Sequence, residues 1–204
     1  MKAGVTVLYQ IINDALETGS VRRGGEMTTV VYPDEKGGIS MEIRKTKPEE
    51  LTRLMEMYEE ARQFMRETGN PDQWGTKEPR RERIEKDIAE GNSYVCVKDG
   101  VIVATFFFCV MEDATYAAIY EGSWMDDSPY GVVHRITTDR KTRGAAAFCL
   151  DWAVSRSGGH LRIDTHEKNI VMQKLLKKTG FSYCGIIYVA DGTKRLAYEK
   201  TRRA

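Results

Sequence analysis

The sequence predicts an α/β chain of the α+β kind, with a mixed, mostly antiparallel sheet flanked by about four helices. Three observations predict it. Apolar residues recur at three- and four-residue steps in several segments. Two Asp-Gly pairs, Asp99-Gly100 and Asp191-Gly192, each separate two strand-like runs. One strand, one helix and a second strand follow each other between Gly131 and Thr165.

Residues 1–40 differ from the rest. A helix-like stretch, Val7 to Leu16, and a strand-like stretch, Met27 to Tyr32, are separated by Arg22-Arg-Gly-Gly and followed by Pro33-Asp-Glu-Lys-Gly-Gly. The segment reads as an N-terminal extension, and Met41 is itself a candidate initiator. The 204 residues, 41% hydrophobic, suffice for one core and are short for two, so residues 41–204 are expected to form one domain.

Met41 to Lys45 reads as a strand, and Thr46-Lys-Pro-Glu49 as a capping box in which threonine and glutamate satisfy each other's backbone donors. Leu51, Leu54, Tyr58, Ala61 and Met65 then form one apolar helical stripe that ends at Thr68-Gly-Asn-Pro71. A second helix is expected from Glu78 to Glu90, stopped by Gly91. Tyr94 to Lys98 and Val101 to Met111 form a hairpin through Asp99-Gly100, and Thr115 to Tyr120 with Gly131 to Thr137 predicts a further strand pair.

After Gly144, a helix carries Ala145, Phe148, Cys149, Trp152 and Ala153 at helical spacing, stops at Gly158-Gly159 and leads into a strand from His160 to Thr165. The last helix, Asn169 to Thr179, turns Val171, Met172, Leu175 and Leu176 inward and is capped by Gly180. Gly185 to Ala190 and Lys194 to Glu199 close the chain as a hairpin, whose exposed edge would allow a homodimer.

With 31 basic and 30 acidic residues the net charge is +1, which gives no global field for nucleic acid or a membrane surface. Arg80, Arg81 and Arg83 are interleaved with Glu78, Glu82 and Glu85, the pattern of a solvated helix face rather than a nucleic-acid site. Cys96, Cys109, Cys149 and Cys184 lie far apart without a C-x-x-C pair, so reduced structural thiols are expected. No apolar run has membrane-spanning length and no cleavable leader is recognisable, so no membrane partner and a cytoplasmic location are expected.

The stretch from Val132 to Ala146 carries the most chemistry: a strand runs into a basic turn with Arg140, Lys141 and Arg143, then into a helix that begins with small residues. Free N–H groups at a helix start and a macrodipole of about half a positive charge favour an anion there, and small side chains let a pyrophosphate approach the backbone. The segment has neither the glycine–lysine pattern of a nucleotide-hydrolysing loop nor a dinucleotide fingerprint, which argues against hydrolysis and hydride transfer.

This segment resembles the pyrophosphate loop of the GNAT N-acetyltransferase superfamily, Gln/Arg-x-x-Gly-x-Gly/Ala. It matches Lys141-Thr-Arg-Gly144-Ala-Ala146, with lysine at the first position. A second motif, Asn169-x-x-Met172-x-x-Leu175-Leu-x-x-x-Gly180-Phe181, follows in the expected order, and the resemblance runs from Met41 to Tyr198. It implies a sheet splayed between its fourth and fifth strands and acetyl-CoA as cofactor. The cofactor would lie along Ile136, Thr137 and Thr138, with its phosphates on Lys141, Thr142, Arg143, Gly144, Ala145 and Ala146 and a contact from Asn169. Asn169 serves equally well as a plain helix cap.

The implied reaction is direct transfer of an acetyl group to the primary amine of a small molecule or peptide. It needs a base for the amine and an acid for the thiolate. Many relatives carry a tyrosine acid at the position held here by Leu176, and Tyr183 is a candidate replacement. His134 is the candidate base, because imidazole titrates near neutral pH, and Glu121 is the carboxylate option. Trp74 and Trp124 lie on loops that would shape the acceptor pocket. Asp164 and His166 alternate on one strand face without a third ligand, so no metal is expected and they would line or brace the opening. The missing tyrosine leaves a second reading, a non-catalytic acyl-CoA-binding sensor or interaction module of the same fold.

Overall fold

A computed structural model describes residues 41–201 of the chain. The helix and strand expected before Met41 lie outside the described residues. Strands β1 (Glu42–Lys45), β2 (Ser93–Lys98), β3 (Val101–Val110), β4 (Gly131–Thr138), β5 (Leu161–Thr165), β6 (Ser182–Tyr188) and β7 (Lys194–Lys200) form one sheet in the order β1-β2-β3-β4-β5-β7-β6. Helices α1 (Leu51–Glu67), α2 (Arg81–Ala89), α3 (Ala145–Arg156) and α4 (Ile170–Lys178) flank it. All pairings are antiparallel except that of β4 with β5.

Side-chain alternation builds the two faces. Consecutive residues Val95 and Cys96 of β2 point to opposite sides. Val95 joins Leu51, Leu54, Tyr58 and Ile84 beneath α1 and α2. Cys96 joins Val103, Phe106, Cys149, Leu150, Trp152 and Leu176 beneath α3 and α4. Trp152 anchors this second face, with ring centroids 5.0 Å from Tyr94 and 5.3 Å from Phe108.

The parallel pair β4–β5 holds the geometry that matters. It is registered only at Gly131 with Leu161 and Val132 with Arg162, and beyond these residues the two strands diverge. A bulge re-aims β4 at the same place. His134 pairs with Phe107 and Thr137 with Thr105, so Arg135 and Ile136 stand opposite the single Phe106, and Arg135 takes φ +54°.

Several sequence expectations are corrected. Thr46 does not cap α1: its hydroxyl hydrogen-bonds the Ser93 hydroxyl at 2.8 Å. The capping contact sits one residue later, where Glu50 accepts from the Lys47 N–H at 2.8 Å and also pairs with Arg44 at 2.6 Å. Glu78 to Arg80 precede α2, whose first residue is Arg81.

Thr115 to Tyr120 is not a strand. The Asp113 carboxylate accepts the Thr115 N–H and starts a 3-10 turn over Ala114–Tyr116, leaving only Tyr120 bridged to Ile186 of β6. That contact is close. A Cβ on Gly122 would meet the Cys184 carbonyl oxygen at 2.0 Å, so glycine is required there. The bridge also occupies the middle of the β6 edge, since Tyr120 and Ile186 exchange both backbone hydrogen bonds. Val171, expected inward, is 52% exposed, whereas Leu176 of the same helix is 0% exposed.

The expected hairpins at Asp99-Gly100 and Asp191-Gly192 form. All four cysteines are free. Among the described residues no helix is long and apolar enough to cross a membrane.

Candidate active site between the diverging strands

The divergence of β4 and β5 opens a cavity of about 650 Å³. Its floor is formed by His134, Arg135 and Ile136 from β4 and Ile163, Asp164 and Thr165 from β5. Trp74 and Asp87 wall it on the side of α1 and α2, Asn169 at the start of α4, and Arg195 from β7.

His134 stands between two carboxylates. Its Nε2 is 2.8 Å from Asp113 Oδ2, and its Nδ1 is 3.7 Å from Asp164 Oδ1 across the opening. The hydrogen bond from His134 holds the Asp113 carboxyl well below the usual carboxylate range, against the opposing effect of partial burial. Asp164 is itself fixed: the Tyr116 hydroxyl donates to its Oδ1 at 2.9 Å, and Arg195 Nε lies 3.9 Å from its Oδ2. Burial pushes the Tyr116 phenol well above its ordinary value, so it stays a hydrogen-bond donor. The arrangement offers a ring nitrogen and a carboxylate within reach of one incoming polar hydrogen, which suits proton abstraction from an amine.

Arg135 leaves this cluster. From its left-handed backbone position its guanidinium reaches Asp87 at 2.6 Å and lies 4.7 Å from the Phe107 ring centroid. Burial raises the Asp87 carboxyl, and the Arg135 charge opposes that rise.

The basic turn after β4 is built as a helix start. Asp139 Oδ1 accepts the N–H groups of Lys141 at 3.0 Å and Thr142 at 2.9 Å, and the Thr142 hydroxyl donates to Oδ2 at 2.9 Å. Two of the amides expected to meet phosphate are thus held by a carboxylate. Gly144, at φ +83°, caps α3; the Ala145 N–H donates to the Thr142 carbonyl at 3.4 Å, and the Ala146 and Ala147 N–H groups that follow are the orphan donors of the helix start. Lys141, Arg143 and Gly144 are exposed, Thr142 and Ala146 half-buried and Ala145 buried. Arg140 instead lies 5.0 Å from the Phe64 ring centroid of α1. Of the three β4 residues expected along the cofactor, Ile136 lines the cavity, Thr137 is buried and the Thr138 hydroxyl accepts from the Arg140 N–H at 3.2 Å.

Asn169 is the helix cap considered for it, and it faces the opening. Its side chain caps α4 by accepting the Met172 N–H at 3.1 Å, and it lines the cavity. Its amide also donates to Gln73 at 2.9 Å, and beside it Lys168 meets Asp72 at 2.6 Å, tying the loop that carries Trp74 to the start of α4. Trp74 lines the cavity and packs edge-on against Tyr58 at 5.7 Å.

Three expected site residues lie elsewhere. Glu121 is exposed at φ +56° in the loop before β4 and is absent from the cavity wall. Tyr183, 52% exposed, packs on Tyr198 near the β6 edge. Trp124 anchors its loop: its Nε1 donates to the Tyr116 carbonyl at 3.0 Å and its ring lies 4.2 Å from the Arg162 guanidinium.

Asp113 was missed by sequence reasoning, and Asp164 was read only as lining or bracing the opening. The sequence signal for Asp113 is the Asp-x-Thr pattern of a side-chain-capped turn, which the strand expectation over Thr115 to Tyr120 obscured. His166 does not join the cluster; its Nδ1 lies 3.1 Å from the Lys168 nitrogen.

A sheet opened at the parallel pair β4–β5, with a histidine and carboxylates lining the opening and a basic helix start at the end of β4, defines an open-sheet α/β class. The solved structures give that class a family. An acetyltransferase of the GNAT family from Streptococcus agalactiae is 36% identical, with a TM-score of 0.74 over 86% of this chain and 100% of its own. A second GNAT-family acetyltransferase, from Listeria monocytogenes, shares the fold at 17% identity and a TM-score of 0.61, covering 86% of this chain and 100% of its own. The yncA protein of Salmonella typhimurium, solved with its cofactor acetyl-CoA, shares it at 12% identity and a TM-score of 0.54, covering 79% of this chain and 93% of its own. No family profile and no curated protein matches the chain. The chain belongs to the GNAT acetyltransferase family.

Proposed function

We propose that the protein is an acetyl-CoA-dependent N-acetyltransferase that transfers the acetyl group to a primary amine by direct attack. The observation that carries this reading is the pair His134 and Asp164, set 3.7 Å apart across the opening between β4 and β5. Family membership supports acetyl-CoA as the donor, as does the acetyl-CoA bound by the Salmonella protein of the same fold. Ile136 and Asn169 on the cavity wall and the orphan amides at the α3 start fit a long ligand that ends in phosphates.

In this reading the amine nitrogen attacks the thioester carbonyl carbon, the carbon–sulfur bond breaks, and coenzyme A leaves as a thiolate. The amine enters neutral with a hydrogen directed at the Asp164 carboxylate, and the one proton lost by nitrogen as the carbon–sulfur bond breaks passes to His134 Nδ1. The thiolate takes its proton from water. Trp74 and Arg195 bound the side from which the amine enters.

One observation favours the second reading, an acyl-CoA-binding sensor. Leu176, at the position of the tyrosine acid in many relatives, is wholly buried in the core, and Tyr183 lies outside the cavity. Calorimetric titration with acetyl-CoA tests the donor site. Micromolar binding by the wild type and its loss in Gly144→Glu are expected; a folded wild type that does not bind sinks both readings. Saturable thiol release with any amine separates enzyme from sensor.

A further inference from the structure

Asp113 caps its turn and is held at three points. Its Oδ1 accepts the Thr115 N–H at 2.8 Å, its own N–H lies 3.3 Å from the Tyr130 hydroxyl, and its Oδ2 meets His134 Nε2 at 2.8 Å. The imidazole is confined on its faces as well, with the Phe107 ring centroid at 5.8 Å and that of Tyr116 at 6.0 Å.

We propose that Asp113 is a positioning residue that fixes the tautomer of His134, keeping the proton on Nε2 so that Nδ1 presents its lone pair to the opening. A carboxylate can only accept, so Nε2 must donate to it. The depressed Asp113 carboxyl agrees with that direction. The charged and titratable groups around His134 are Asp113 and Tyr116 from the turn after β3, Cys109 of β3, Asp164 of β5 and, behind Asp164, Arg195 of β7; the neighbouring Arg135 turns away to Asp87. Among the described residues only Asp113 touches the ring at hydrogen-bond distance. On proton transfer Nδ1 becomes N–H while the Nε2–H bond to Asp113 stays in place, and the imidazolium is stabilised without any movement of the ring.

The role rests on His134 being the base, but the tautomer can be read without any turnover. Long-range proton–nitrogen spectra of histidine-labelled protein distinguish the ring nitrogens. The three histidines are assigned by loss of a signal in His134→Gln. In the wild type, with the ring neutral, a protonated Nε2 and a bare Nδ1 are expected. Asp113→Asn keeps an acceptor for Thr115 but turns a donor toward Nε2, which should move the proton to Nδ1. The same change should lower kcat about 10²-fold or more, with the acceptor KM altered less than about 3-fold. Asp113→Glu should restore the wild-type tautomer and part of the rate, and it serves if the asparagine variant does not fold. A wild-type proton on Nδ1, or an unchanged tautomer in folded Asp113→Asn, overturns the proposal. A switched tautomer with an unchanged rate supports the positioning and instead removes His134 as the base.

Discussion

His134 Nδ1 and Asp164 Oδ1 lie 3.7 Å apart although they belong to neighbouring strands, a contact made possible because β4 and β5 stop pairing after Val132 and Arg162. A fully paired sheet would fill that space with backbone hydrogen bonds; the divergence turns it into a place where two polar side chains face a ligand.

Asp164→Asn keeps the size of the side chain and an acceptor for the Tyr116 hydroxyl while removing the charge. Acetyl-CoA affinity should hold, and kcat/KM for the amine should fall about 10²-fold or more. Steady-state kinetics beside calorimetry check this; an unchanged kcat/KM would remove Asp164 from the reaction.

The two roles of Asn169 separate by substitution. Asn169→Asp retains the cap on Met172 but not the donor to Gln73, so stability should be near wild type. Asn169→Ala loses both, and should cost about 1 kcal/mol in denaturant unfolding. If acetyl-CoA binding weakens in both variants, the amide contributes to the cofactor site; if only in alanine, the cap alone matters.

Leu176→Tyr places the residue common in relatives at this helix position, but the site is 0% exposed and packed into the core. Overpacking should destabilise the fold by about 1–3 kcal/mol, read as a lower midpoint in denaturant, without a gain in kcat. A stable variant with raised kcat would show that the missing acid limits the reaction.

Acid stability should depend on His134. The folded-state value of the Asp113 carboxyl is depressed, so its contribution is fully present above the unfolded value of about 4 and is lost as pH falls toward the folded one. In that window the unfolded chain binds a proton that the native one does not. His134→Gln weakens the cause of the depression, so the stability gap between wild type and variant should narrow as pH is lowered from about 5 toward 2. A gap that stays constant in urea unfolding over that range would contradict this account.

What could be read from the sequence was what depends on neighbours along the chain. Leu51, Leu54, Tyr58 and Ala61 repeat at helical steps and are buried, the Asp-Gly pairs make hairpins, and Gly144 and Gly180 mark helix ends because they adopt positive φ. The two family motifs are local for the same reason, since a helix start binds phosphate through consecutive residues. Thr115 to Tyr120 misled because its alternation is that of a strand, while the Asp113 carboxylate two residues earlier gives the backbone a competing hydrogen bond.

The sequence by itself determined the α/β class, the helix-start loop from Lys141 to Ala146 and the candidacy of His134. Only the tertiary structure decided its companions. Asp113 and Tyr116 come from the turn after β3 and Asp164 from β5, and they meet His134 because β3 and β5 flank β4 in the sheet, while Glu121 and Tyr183 are carried outside the cavity. Local propensity depends on residues a few positions apart, whereas a proton-transfer site depends on where distant strands pair and where they part.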